Sequence, residues 1–264
     1  MTNAEITKKN TVFIILLLPL IFFVFLMLSS CERIGLAEAE ADLDSKKDIE
    51  NELIFFNYDN IKIEGTSGIG IRIRNCNIEL DSFGNLIILG EIENTSSSNK
   101  TNIFLTFNFY NKKQEVMLSE VVSPGVNFLR PSTKLPFSHV FQYNDKFIDL
   151  NKVKIGADYK DYFKNIEGNA IARQEKFFYE DEKLKAQGSV SNIGETKIIN
   201  LVLLATFYNQ KDEVVFLKKC FLPEDEMNAR EQQVFTMEVL LDKYTPDFTH
   251  YDFEVFFEDT AKLP

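Results

Sequence analysis

The sequence predicts an all-β protein: two tandem antiparallel β-sandwiches behind an N-terminal export segment. Three observations predict it. Apolar and polar residues alternate in short runs separated by polar turns. The second half repeats the first at a fixed spacing, as Gly90 and Gly188 show (188 − 90 = 98). An apolar run, Thr11 to Leu28, is closed by small residues and Cys31. Composition agrees. The chain has 264 residues with 25 Phe but only 11 Gly, and its Phe, Ile, Val, Leu and Tyr clusters favour strands.

The first element is residues 1–30. Lys8 and Lys9 precede the apolar run, and acidic residues from Glu38 to Glu52 follow it. That is a positive n-region, an apolar h-region and small residues before a cleavage point. The tetrad Leu28-Ser29-Ser30-Cys31 resembles the lipobox of bacterial lipoproteins. The resemblance implies that Cys31 becomes the lipidated first residue of the mature chain. The run also approaches the ~20 residues that span a bilayer, so an uncleaved membrane anchor is the alternative. Either way residues 32–264 are expected outside the cytoplasm. Residues 31–53 are acidic and lack a sustained apolar stripe, which predicts a flexible tether.

Two repeats follow, expected over 54–160 and 168–264, with their junction near Lys160 to Gly168. Gly90, Asn94, Phe109, Tyr110, Asn111, Glu115, Val116 and Phe137 match Gly188, Asn192, Phe207, Tyr208, Asn209, Glu213, Val214 and Phe235 without a gap. A period this long means two domains, not a solenoid of small units.

Each copy then tests the other's strands. Ile69 to Ile73 or Cys76 to Leu80 opens the first repeat, and Ile171 to Tyr179 opens the second. In the next strand both parities look apolar in the first copy. In the second only Leu184, Ala186 and Val190 are apolar, so Leu86, Ile88 and Ile92 point inward. Glu91 and Ser189 fall on the outward parity. The following strand turns Ile103, Leu105, Phe107 and Phe109 inward, with Leu201, Leu203, Ala205 and Phe207 as equivalents. Polar turns come at Asn111 to Gln114 and Asn209 to Asp212. Val116, Leu118, Val214 and Phe216 are the next inward residues. Phe137, His139 and Phe141 match Phe235, Met237 and Val239. The last strand aligns Val153, Ile155, Ala157 and Tyr159 with Tyr251, Phe253, Val255 and Phe257.

The motif Gly-x-Val/Ile-x-Asn, then a strand ending Phe-Tyr-Asn, then Glu-Val, resembles the FxLYD domain family. The second copy carries it in Gly188 to Asn192 and Leu204 to Val214, the first in Gly90 to Asn94 and Thr106 to Asn111. Both copies have Asn where the family motif has Asp, and Phe in place of the Leu before Tyr. The resemblance covers most of 84–159 and 182–257. It implies small immunoglobulin-like sandwiches on envelope or secreted proteins, and no known reaction.

Charge excludes one class of function. The net charge is −11, and the chain beyond residue 30 keeps 27 basic and 39 acidic residues. A nucleic-acid binder needs a basic footprint, so no nucleic-acid partner is expected. Membrane contact is expected through lipid on Cys31. Cys76 and Cys220 lie in different repeats and read as small apolar fillers, with a disulfide in an oxidising envelope as the alternative.

Candidate chemistry has plain structural readings. His139 lies on an inward parity and His250 on an outward one, in different repeats, so neither a metal site nor a triad is expected. Gly65 to Gly70 lacks the Gly-Lys-Ser/Thr ending of a phosphate loop and reads as a glycine turn. The acidic triplets Glu180 to Glu182 and Glu224 to Glu226 read as solvated turns. Gly90, Gly188, Asn94 and Asn192 recur because a sandwich needs close backbone approach and turns there. The sequence is therefore read as a non-enzymatic, lipid-anchored envelope protein, without catalytic residue, metal or cofactor, that binds another envelope protein or acts as a spacer. The alternative is an accessory enzyme or small-ligand carrier with a site at the domain junction, near Asp158, Lys160, Asp161, Lys164 and Arg173.

Overall fold

The structure, a computed structural model, describes residues 58–81, 83–163, 168–241 and 245–259. The export segment, Cys31, the tether and Lys164 lie outside the described residues. Asn57–Pro264 form one compact unit. No α-helix occurs among the described residues, and none of their helices is long and apolar enough to cross a membrane.

The first repeat contributes nine strands: β1 (Lys62–Gly65), β2 (Ser67–Gly68), β3 (Ile71–Leu80), β4 (Leu86–Asn94), β5 (Asn99–Asn111), β6 (Val116–Val122), β7 (Phe128–Leu129), β8 (Lys134–Phe141) and β9 (Leu150–Tyr162). The second contributes six: β10 (Ala170–Glu180), β11 (Lys183–Asn192), β12 (Ile198–Tyr208), β13 (Val214–Lys219), β14 (Gln232–Leu240) and β15 (His250–Asp259). One sheet runs β1-β9-β5-β6 with β7 on β5, and a second runs β2-β3-β4-β8. The other two run β10-β11-β14 and β13-β12-β15. Among the described residues no ladder joins one repeat to the other. Pairing is antiparallel except between β1 and β9.

The inward faces are those the alternation predicts. Leu86, Ile88 and Ile92 meet Ile103, Leu105, Phe107 and Phe109, all fully buried. Their equivalents Leu184, Ala186, Val190, Leu201, Leu203, Ala205 and Phe207 form one buried cluster with Phe235, Met237 and Val239. Val116 and Val214 are corrections, because a register shift after Phe109 and Phe207 puts both opposite the outward Tyr110 and Tyr208. Val116 is 55% exposed, and Val214 is buried, but outside its own core against Leu89. The two sit at the same place in their hairpins, but only Val214 is covered, by the other repeat.

The repeated residues build the same devices twice. Asn111 Oδ1 accepts from the backbone N–H of Lys113 and Glu115 at 2.9 and 3.0 Å. Asn209 does the same with Lys211 and Glu213 at 2.9 and 3.0 Å. An Asn holding its own turn leaves the following residues to close the hairpin, Gln114 at φ 64° and Asp212 at φ 61°. Asn94 donates to the Ser98 and Leu129 carbonyls, and Asn192 to those of Thr196 and Asn228, tying each loop to a distant segment.

Gly90 and Gly188 lie directly beside Phe137 and Phe235 in the ladders. A Cβ on Gly90 would stand 2.8 Å from the Phe137 ring and 2.8 Å from Cys76 Sγ. On Gly188 it would stand 2.7 Å from the Phe235 ring and 2.2 Å from the Arg173 carbonyl oxygen. The neighbouring strands bulge at these levels, between Arg74 and Asn77 and between Gln174 and Lys176. Aromatic rings thus lie over the glycines while the bulge bends the strand around them.

Candidate functional site

The outward face of β4 is not solvated. Leu89 is buried against Tyr208 and Val214, with Ile87 and Leu217 packed at the margin. Ile87, Leu89 and Glu91 alternate along β4. Leu204, Thr206 and Tyr208 alternate along β12, opposite its inward row of Leu203, Ala205 and Phe207. The repeats therefore meet through the outer faces of two sheets, which is why both parities of β4 are apolar.

At this junction lies a buried polar cluster. Glu91, expected on the outward parity, is fully buried. Its Oε1 accepts from the Tyr208 hydroxyl at 2.7 Å and lies 3.8 Å from Lys134 Nζ. Its Oε2 accepts from Asn75 Nδ2 at 2.6 Å and lies 3.7 Å from Arg74 Nε. Asn75 reaches it from the β3 bulge at φ 53°. Burial, together with the Glu91 carboxylate, pushes the Tyr208 phenol well above its usual range.

Glu254 joins the cluster from β15. It pairs with Leu204 across the ladder, so it shares the β12 face that carries Thr206 and Tyr208. Its Oε2 is shielded from water and meets no hydrogen-bond donor among the described residues. Burial and the neighbouring Glu91 push its carboxyl up to about 8, against the pull of Lys134. Two carboxyls from different repeats thus sit close enough to sense each other, which favours the neutral form of Glu254. Burial, and then Glu91, also push the Cys76 thiol up to about 12.

A second contact lies on the rim. The Arg130 guanidinium stands 4.5 Å over the Phe257 ring, and its Nη1 donates to Asn169 Oδ1 at 3.4 Å. Two grooves flank the junction. One is lined by Glu79, Leu80, Ile87, Phe216, Val239 and Leu240, among others, and burial pushes the Glu79 carboxyl up to about 7. The other runs between Val126, Phe128, Asn200, Val202 and Phe257. Neither is lined by Glu91 or Glu254.

The residues singled out from sequence scatter. His139 is half-buried on Phe107 and Phe141, with Nε2 3.3 Å from Glu120 Oε1. His250 is half-exposed, stacked on the Tyr208 ring at 4.9 Å and 3.6 Å from Asp212. Cys76 and Cys220 are free thiols. The triplets at Glu180 and Glu224 are exposed. Asp158, Lys160, Asp161 and Arg173 are exposed and do not converge. Asp161 is ion-paired instead with Lys100, a buried lysine whose Nζ lies 4.8 Å from the Tyr159 ring centre. Ser189, the second residue expected outward, is also buried; its Oγ donates to Glu175 at 3.2 Å, beside the β10 bulge. Among the described residues no group of three or more His, Cys, Asp or Glu is placed to hold a metal ion.

No protein-family model matches the sequence, and no curated protein matches it. Among solved structures, the red sea bream transglutaminase is 8% identical with a TM-score of 0.23, over 72% of this chain and 30% of that one. The Amycolatopsis orientalis exo-chitosanase CsxA is 8% identical with a TM-score of 0.25, over 69% of this chain and 25% of that one. The chain spans under a third of either enzyme's length, and likeness at this level says nothing of activity.

Proposed function

We propose that the protein is a non-enzymatic, lipid-anchored envelope protein whose paired immunoglobulin-like sandwiches, of the kind the FxLYD resemblance implies, bind another protein or serve as a spacer. One observation carries the reading: the buried Glu91 carboxylate at the junction is satisfied by groups from both repeats. Glu91 accepts from Tyr208 and Asn75 inside a closed seam, which is how a protein holds two domains in one orientation. Cys31, behind Leu28-Ser29-Ser30, is the site of lipid attachment in this reading. Sheet edges then offer main-chain pairing to a partner strand. On β14, whose edge is already bonded to Phe221 at Thr236, the favoured contact is instead through exposed side chains, Val234 at 52% and Leu240 at 54% exposure.

Crosslinking in intact cells, with identification of what co-purifies, tests the binding role. Val234→Lys and Leu240→Lys should abolish capture with the fold intact. Cys31→Ala should leave a heavier, unprocessed precursor without labelled fatty acid; normal processing of that variant would remove the anchor from the reading.

A second reading, a small-ligand carrier, is favoured by the groove between the repeats, where apolar Leu80, Ile87, Phe216 and Leu240 surround Glu79. A ligand-library thermal shift that Glu79→Gln and Phe216→Ala both erase would select it over the first.

A further inference from the structure

We propose that the junction is a proton-operated clasp: with Glu254 protonated the two repeats are held face to face, and its ionisation releases them. Three features of the geometry carry this. No described backbone ladder crosses the junction, and each repeat keeps its own core, so the repeats can part without unfolding. The apolar seam is small: Leu89, Tyr208 and Val214, with Ile87 and Leu217 beside them. Glu254, half-buried and near Glu91 of the other repeat, has its Oε2 shielded from water with no donor among the described residues.

A charged carboxylate with one oxygen, Oε2, shut away from water and without a donor carries a desolvation penalty. Opening the seam relieves it by letting water in. The facing groups set the balance. Glu91 and Asp252 oppose ionisation and Lys134 favours it. Arg74 is shared between Glu91 and Glu93, at 3.7 and 3.3 Å, and Arg72 lies 3.7 Å from Glu93. From β12 the Tyr208 hydroxyl is committed to Glu91. From β15 His250 is turned to Asp212, and from β3 the Cys76 thiol is held neutral. Lys219 on β13, two strands across from Glu254 through Leu204, is exposed. Burial and the two acids outweigh Lys134, so the clasp is closed at neutral pH and opens on the alkaline side.

The test places spin labels at Lys113→Cys and Asp181→Cys, exposed hairpin positions in the two repeats, in the full-length chain carrying Cys31→Ser in detergent. Cys76, half-buried, and Cys220, buried, are replaced by Ala in the labelled chain so that only the two introduced thiols react. From about pH 6 to about pH 10, a single distance should give way to a longer population with a midpoint near about 8, reversibly. Glu254→Gln should keep the single distance throughout. An unchanged wild-type distance, or the same opening in Glu254→Gln, overturns the proposal. A second measurement needs no variant. The carboxyl titration of 13C-labelled glutamate in the unsubstituted chain should show two raised midpoints, those of Glu79 and Glu254, the higher of them coinciding with opening. A separation of more than about one pH unit between that midpoint and opening overturns the proposal.

Discussion

The Tyr208 hydroxyl donates to Glu91 Oε1 at 2.7 Å, joining residues 117 apart in sequence across the face between two repeats. Tyr110, the equivalent of Tyr208, makes no such bridge; its ring lies 4.8 Å from Lys152 Nζ in a partly exposed place. One repeated tyrosine is thus surface and the other is an interdomain clamp.

Tyr208→Phe should therefore cost about 1–3 kcal/mol, because a buried carboxylate loses a donor. Tyr110→Phe should cost almost nothing. Urea unfolding of the two variants side by side checks the contrast, and equal losses would mean that the bridge is not what holds Tyr208.

Phe109→Ala and Phe207→Ala each empty a fully buried position. Each should cost about 3–5 kcal/mol. Hydrogen exchange should show the loss concentrated in the repeat that carries the substitution, since the two phenylalanines lie in separate cores.

Gly188→Ala should destabilise more than Gly90→Ala. The new methyl meets a backbone carbonyl in the second repeat, at 2.2 Å, but only side-chain atoms in the first. A ring or thiol can yield where a bulged strand cannot. The first change should cost about 1–3 kcal/mol or more, and the second should fall below it. Thermal melts of the pair give the order directly.

Glu254 also makes stability depend on pH. Its carboxyl is raised from 4.5 to about 8, so between those values the folded chain holds a proton that the unfolded chain has lost. The contribution is fully present below about pH 4.5, declines as pH rises, and is gone above about 8. Glu79, raised to about 7, acts in the same direction over a narrower window. Glu254→Gln should be more stable than the wild type at about pH 9 and show a flatter profile from about pH 5 to 8. A profile as steep in the variant as in the wild type would place the titration elsewhere.

Burial pushes both the Cys76 and Cys220 thiols up to about 12. Neither should react with iodoacetamide near neutral pH until the chain is denatured, because the thiolate is the nucleophile. Mass spectrometry before and after denaturation reads this out.

Alternation and repetition by themselves determined the longer strands, most of their inward faces and the Asn turns, but not the short β1, β2 and β7. The reason is local. A side chain's face follows from the parity of its position, and the Asn111 and Asn209 turns use bonds to residues two and four along. A duplicated sequence shows these twice, so one copy corrects the other. The single offset covers the strands from β4 on but not the first one. Leu80 faces Leu86, whereas Tyr179 faces Leu184, because the first hairpin is one residue longer.

Only the tertiary structure decided what the outward faces touch. Parity puts Glu91, Ser189 and Leu89 outside their own sandwich, but being outside a sandwich is not being in water. Leu89 and Glu91 are buried by the other repeat, and Ser189 lies beside a bulge. The one written trace of the junction was the second apolar parity of β4, Ile87 and Leu89. Sequence comparison of the copies discards such residues, since it keeps what both repeats share. A contact between repeats engages different residues on each side, and docking, not periodicity, brings Tyr208 and Glu254 against Glu91.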